Sequence, residues 1–103
     1  MFTGREDHTI TLDEAAAMTK IYRQSVPSTA RKGGFFGRDA ILKILNQEDC
    51  VGIRYYHGIN SAGEPVIILC GALANEDAMD DGALVEFAIP CPTQCGSSNP
   101  LNP

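Results

Sequence analysis

The spacing of apolar positions changes period once along this chain, between Gln47 and Val51. Before that point it is helical. Ala15, Ala16, Met18, Ile21, Tyr22 and Val26 fall mostly three and four residues apart, which predicts an amphipathic helix. Thr11-Leu-Asp-Glu14 has the form of a capping box, in which the Thr hydroxyl accepts from the third helical amide and the Glu reaches back. Ile10 stands where a staple residue would stand, and Pro27 predicts an end near Gln24 or Ser25. A second helix is expected from Gly37 or Arg38 to Gln47, with Ile41, Ile44 and Leu45 on its buried face. Residues 1–9 are polar and expected to be loose. Ser28 to Gly34 reads as a basic connector, and Phe35 and Phe36 as core anchors.

From Val51 the pattern is that of strands. Val51 to Ile59 is β-branched and aromatic, Val66 to Leu73 is almost wholly apolar, and Ala83 to Ile89 is a shorter candidate stopped by Pro90. Asn60-Ser-Ala-Gly63 reads as a four-residue turn joining the first two into a hairpin. That turn sets Ile59 opposite Glu64 and Ile53 opposite Cys70. One face then carries Val51, Ile53, Tyr55, His57, Val66, Ile68, Cys70 and Ala72, and is expected to pack on Ile21, Tyr22, Ile41, Ile44 and Leu45. The other carries Arg54, Tyr56, Ile67, Leu69 and Leu73 with Gly52, Gly58 and Gly71. The expected fold is α+β. Two N-terminal helices lie on one face of an antiparallel sheet of about three strands, followed by an irregular Cys/Pro-rich tail. Residues 1–103 are read as one domain, with the tail at 90–103 packed on it.

Two helices cover one face of such a sheet and not both. The second face would leave a contiguous apolar patch in water, which monomers seldom tolerate. The expectation is therefore a twofold homodimer meeting through Arg54, Tyr56, Ile67, Leu69 and Leu73. Arg54 would sit at the rim, paired with an acid, Glu86 first among them.

Charge sharpens the picture little. The net charge of −5 lies wholly in the second half, because residues 1–51 carry as many bases as acids. Lys20 to Lys43 is a basic segment, and Arg31, Lys32 and Arg38 are its candidates for an anion. A pI of about 4.8 argues against nucleic acid as a main partner. The longest apolar run, Val66 to Ala74, is too short for a membrane span, and no signal peptide is visible at the N-terminus. The expected setting is cytoplasmic, with its cysteines reduced.

Candidate chemistry is thin. Pro90-Cys-Pro-Thr-Gln-Cys-Gly96 places two cysteines four apart in a loop. Cys91 and Cys95 could supply two thiolates to zinc, with Cys50, Cys70 or His57 (or His8) completing the set. They could equally form a redox pair or local disulfide, or remain as free thiols. Cys50 and Cys70 read as buried small hydrophobes and His57 as a half-buried strand residue. No acid orients a Cys–His pair, Gly33-Gly34 lacks the spacing of a phosphate loop, and the acidic stretch Glu76 to Glu86 fails the EF-hand pattern.

The run Ile44-Leu-Asn-Gln47, the stretch Cys50-Val-Gly-Ile-Arg54-Tyr with Gly58 after it, and the ending Pro90-Cys-Pro-x-x-Cys-Gly-Ser resemble a family of small uncharacterised bacterial proteins. The resemblance covers residues 10–101. No activity is attached to that family, so it transfers no catalytic residue. It implies a complete single-domain bacterial protein whose tail belongs to the fold. The functional expectation is a small non-enzymatic binding or interaction module without a cofactor. The alternative is a thiol- or metal-dependent protein using Cys91 and Cys95.

Overall fold

Helix α1 (Leu12–Ser25) begins where the capping box places it in the computed structural model, which describes residues Met1 to Pro103. The Thr11 hydroxyl accepts from the Glu14 amide at 3.1 Å, and the Glu14 carboxylate accepts from the Thr11 amide at 3.3 Å. In order, the remaining elements are β1 (Gly33–Phe35), α2 (Arg38–Leu45), β2 (Gly52–Ile59), β3 (Pro65–Ala72) and β4 (Ile89–Cys91). The fold is α+β, with two antiparallel two-stranded sheets, β2-β3 and β1-β4.

The chain divides into two compact units. The first comprises residues 1–6 and 36–88 and contains α2, β2 and β3. Four of the five buried apolar residues belong to it: Ile44, Leu69, Cys70 and Ala72. Helix α2 packs against both strands of the hairpin. Gln47, just beyond α2, ties the unit together: its amide donates to the Ile44 carbonyl at 2.9 Å, and its side-chain oxygen accepts from the Ala83 amide at 2.8 Å. Gly71 of β3 has no room for a side chain. A Cβ there would meet Met79 Sδ at 2.8 Å, Gln47 Nε2 at 2.9 Å and Cys50 Sγ at 3.0 Å. Residues 1–6 belong to this unit. The Phe2 amide donates to the Ala74 carbonyl at 2.9 Å, and the chain's amino terminus pairs with Glu76 at 3.2 Å.

The second unit comprises residues 7–35 and 89–103. Here α1 shares a unit with the β1-β4 ribbon, in which Gly33, Gly34 and Phe35 face Cys91, Pro90 and Ile89. Arg23 Nη1 donates to the Leu101 carbonyl at 2.8 Å, which links the helix to the C-terminal tail.

Three sequence expectations change. The hairpin register is one residue over: Ile59 faces Pro65, Arg54 faces Cys70 and Ile53 faces Gly71. The cause is the turn. Asn60 closes it, donating its amide to the Glu64 carbonyl at 2.9 Å and accepting from the Ala62 and Glu64 amides through its side chain. The loop is thus three residues, Ser61 to Gly63, with Gly63 at φ 80°, a conformation that a side chain would strain. Second, the expected third strand reduces to a single bridge of Val85 to Leu69, and its last residue, Ile89, pairs instead with β1. Third, Phe35 is exposed and Phe36 half-buried, so neither is a core residue.

Candidate functional site

Alternation along β2 puts Ile53, Tyr55, His57 and Ile59 on one face of the hairpin and Gly52, Arg54, Tyr56 and Gly58 on the other. With the observed register, the first row continues across β3 as Ile67, Leu69 and Gly71. The second row continues as Val66, Ile68, Cys70 and Ala72. The two faces are not equivalent. At its far end from the turn, the second is covered by the N-terminal segment: the Arg54 guanidinium lies over the Phe2 ring, 5.3 Å from its centroid.

On its β3 side the first face is closed at Leu69, which is buried, and at Gly71, where Gln47, Cys50 and Met79 crowd in. Along β2, and at Ile67 near the turn, it is open: Tyr55 is 60% exposed, Ile59 77%, Ile67 41% and Ile53 37%. Tyr55 and His57 stand edge to face with ring centroids 5.5 Å apart, a geometry that favours a fixed pair. This row sets two isoleucines, a tyrosine and a histidine on one face of a single strand. Ile53, Tyr55 and His57 share a face, as the alternation predicts, but Ile67, Leu69 and Gly71 join them across β3 in place of the expected Val66, Ile68, Cys70 and Ala72.

The five residues expected as an interface do not share a face. Arg54 and Tyr56 lie on one side of the hairpin, and Ile67 and Leu69 on the other. Leu69 is buried and Leu73 half-buried. Arg54 is held within its own chain, donating from Nη2 to the Glu76 carbonyl at 2.6 Å; its Nε is buried without a hydrogen-bond partner.

Of the basic residues expected to bind an anion, Lys32 is turned inward. Its ammonium donates to the carbonyls of Ala30 at 2.7 Å, Ser28 at 3.0 Å and Pro27 at 3.4 Å, so it closes the loop that carries it. The Arg31 carbonyl accepts from the Tyr22 hydroxyl at 3.4 Å. Arg38 opens α2 in the other unit.

Cys91 and Cys95 are bonded to each other. A sulfur in a disulfide is not a thiolate, so the bridged pair is not a zinc donor set; reduction would have to precede any metal. Cys50 and Cys70 are free thiols, and with His57 they belong to the hairpin unit. No three His, Cys, Asp or Glu side chains converge on one point. Around the bridge, the Cys91 carbonyl accepts from the Lys32 amide at 2.6 Å, and Asn102 Nδ2 lies 3.6 Å from Cys91 Sγ.

Two carboxylates have displaced pKa values. Glu6 is lowered to about 2, chiefly because its carboxylate accepts from the Thr3 backbone amide at 2.8 Å. The Gly4 amide adds a further bond at 2.9 Å. Asp7 is lowered by the Thr9 amide. Both are exposed turn residues, and their shifts report local hydrogen bonding rather than a chemical site. No helix is long and apolar enough to cross a membrane. In comparison with protein-family models, with curated proteins and with solved structures, the chain matches none.

Proposed function

We propose that this chain is a small non-enzymatic interaction module that works by association, with itself first. The observation that carries the reading is the open row Ile53, Tyr55, His57 and Ile59 on a hairpin anchored at its other end by α2 and Gln47. Apolar and aromatic side chains presented on a rigid strand are what protein recognition uses. Aromatic anchors supply large contact area while losing few rotamers. The acidic net charge and the inward-turned Lys32 leave the basic segment a minor feature of this reading.

Light scattering on a sizing column tests it. The expected species has twice the 11.1 kDa mass of the chain, and its share falls on dilution. A species of single-chain mass at high micromolar concentration refutes self-association.

A second reading rests on the Cys91–Cys95 bridge. It makes the β4 end and tail a thiol-dependent element, bridged in an oxidising setting and open in the reducing cytoplasm. Intact mass with and without reductant tests this. The untreated protein should be lighter by the mass of two hydrogens; identical masses refute it.

A further inference from the structure

The outer edge of β2 is a second unmet feature of the hairpin, distinct from its apolar face. In the β2-β3 ladder the hydrogen-bonded pairs run from Asn60 and Glu64 through the even positions of β2. On β3 the odd positions turn away. Leu69, which faces Tyr55, exchanges both backbone bonds with Val85, and the Gly71 carbonyl accepts from Met79. By the same alternation the N–H and C=O groups of Ile53, Tyr55, His57 and Ile59 point outward from β2, where no strand pairs with them.

Natural sheets blunt such an edge with lysine, proline, a bulge or an inward charge. Along these four residues there is no charged side chain and no proline; the one charge of the strand, Arg54, is turned onto the Glu76 carbonyl and Phe2 of its own chain rather than towards the edge. The edge of β3 contrasts with this from Leu69 onward, where residues 77–85 lie along it.

We infer that β2 pairs antiparallel with β2 of a second copy, edge to edge, about a twofold axis at Tyr56, to make a continuous four-stranded sheet. This rests on the self-association proposed above and places it at the edge of β2, which sets the two open rows side by side on one face of the joint sheet. The occupant follows from the register. Pairing Ile53 with the second copy's Ile59, and Tyr55 with its His57, uses all four outward residues of each strand. A shift of one rung either way leaves an outer isoleucine without a backbone partner. In this register isoleucine meets isoleucine and each aromatic ring meets one of the other kind, so the row is complementary to itself. No like charges meet along it, although the chain is acidic overall.

Edge pairing covers the outward backbone of β2 and the flanks of the side chains beside it, while the faces of the joint sheet stay in water. The contact is therefore below the roughly 1,200 Å² of a standard interface, in the class of weak, reversible association. A dissociation constant in the micromolar range is expected, and hence a dimer that dilution takes apart.

The register gives a sharp test. Tyr56 would face its own copy at a non-hydrogen-bonded pair, with Cα atoms about 4.5 Å apart, inside the range that a disulfide spans. Tyr56→Cys should therefore form a covalent dimer on mild oxidation, with the bond mapped by peptide mass to position 56 on both chains. Ile53→Cys should not, because in this register the two Ile53 residues lie about 20 Å apart along the strands. Tyr55→Lys places a charge on the edge and should raise the dissociation constant at least tenfold with the far-ultraviolet circular dichroism unchanged.

If the unmodified chain is a monomer at high micromolar concentration, both the edge pairing and the self-association reading fall. If it is a dimer, but Tyr56→Cys does not cross-link through position 56 or Ile53→Cys cross-links as well, the edge pairing falls and self-association stands. Should Tyr55→Lys fail to fold, the two cysteine variants decide alone.

Discussion

Ile44→Ala is the substitution on which the account of the hairpin unit depends most. Ile44 is fully enclosed, with 0% of its surface exposed, and is the largest apolar side chain in the structure to be so. It lies on α2, one turn from Gln47, and α2 is the element that packs on both β2 and β3. Truncation to alanine removes three carbons, which at about 0.8 kcal/mol each gives about 2.4 kcal/mol of lost transfer energy. The cavity left behind adds to this, because the surrounding side chains relax only in part; the total should be about 3–4 kcal/mol. Alanine's better helix propensity works in the opposite direction by a few tenths of a kcal/mol, so any loss seen comes from packing. The control is the next residue. Leu45 is 40% exposed, and Leu45→Ala should cost under about 1 kcal/mol. Urea unfolding followed by circular dichroism measures both. With a slope of about 1.5 kcal/mol per molar, Ile44→Ala should lower the midpoint by about 2 M. A difference of less than about 1 kcal/mol between the two variants would refute the claim that Ile44 anchors α2 to the hairpin.

Gln47→Ala should cost about 1–2 kcal/mol, because the half-buried Ala83 amide loses its acceptor; chemical denaturation reads this, and a neutral outcome would mean that water replaces the side chain. Thr11→Ala should destabilise α1 by about 1 kcal/mol through loss of the 3.1 Å cap to Glu14, measured as faster amide exchange in the first helical turn; unchanged exchange counts against the cap. The Glu6 carboxyl, followed by NMR titration, should titrate near 2. Because its folded value is depressed, its contribution to stability is present above the ordinary carboxylate range and is lost as pH falls towards 2. A midpoint in the ordinary glutamate range would show that the Thr3 and Gly4 amides do not hold it.

What could be read from the chain alone was local. The α1 boundaries follow from Thr11, Glu14 and Pro27, groups within a few residues of the bonds they control. The β2 and β3 spans follow from a two-residue period and a turn between them, and both stand within a residue of expectation. Alternation along β2 is likewise a backbone property, so the grouping of Ile53, Tyr55 and His57 was correct. Which β3 residues joined them was not legible, because a one-residue change in loop length exchanges every cross-strand partner. The Asn60 side chain made that choice by closing a three-residue loop. Pairing between distant segments was equally hidden. Gly33-Gly34-Phe35 has little strand character, and it becomes β1 only because Ile89 to Cys91 comes to lie beside it. The spacing of Cys91 and Cys95 allows a bridge, a metal or two thiols; the fold brought the two Cα atoms to 4.8 Å and joined the sulfurs. Lys32 looked like a free cation until its loop curled three carbonyls around it. Covalent neighbours set periodicity and caps, whereas register, burial and the fate of each charge depend on which groups compete for the same hydrogen bonds once distant segments meet.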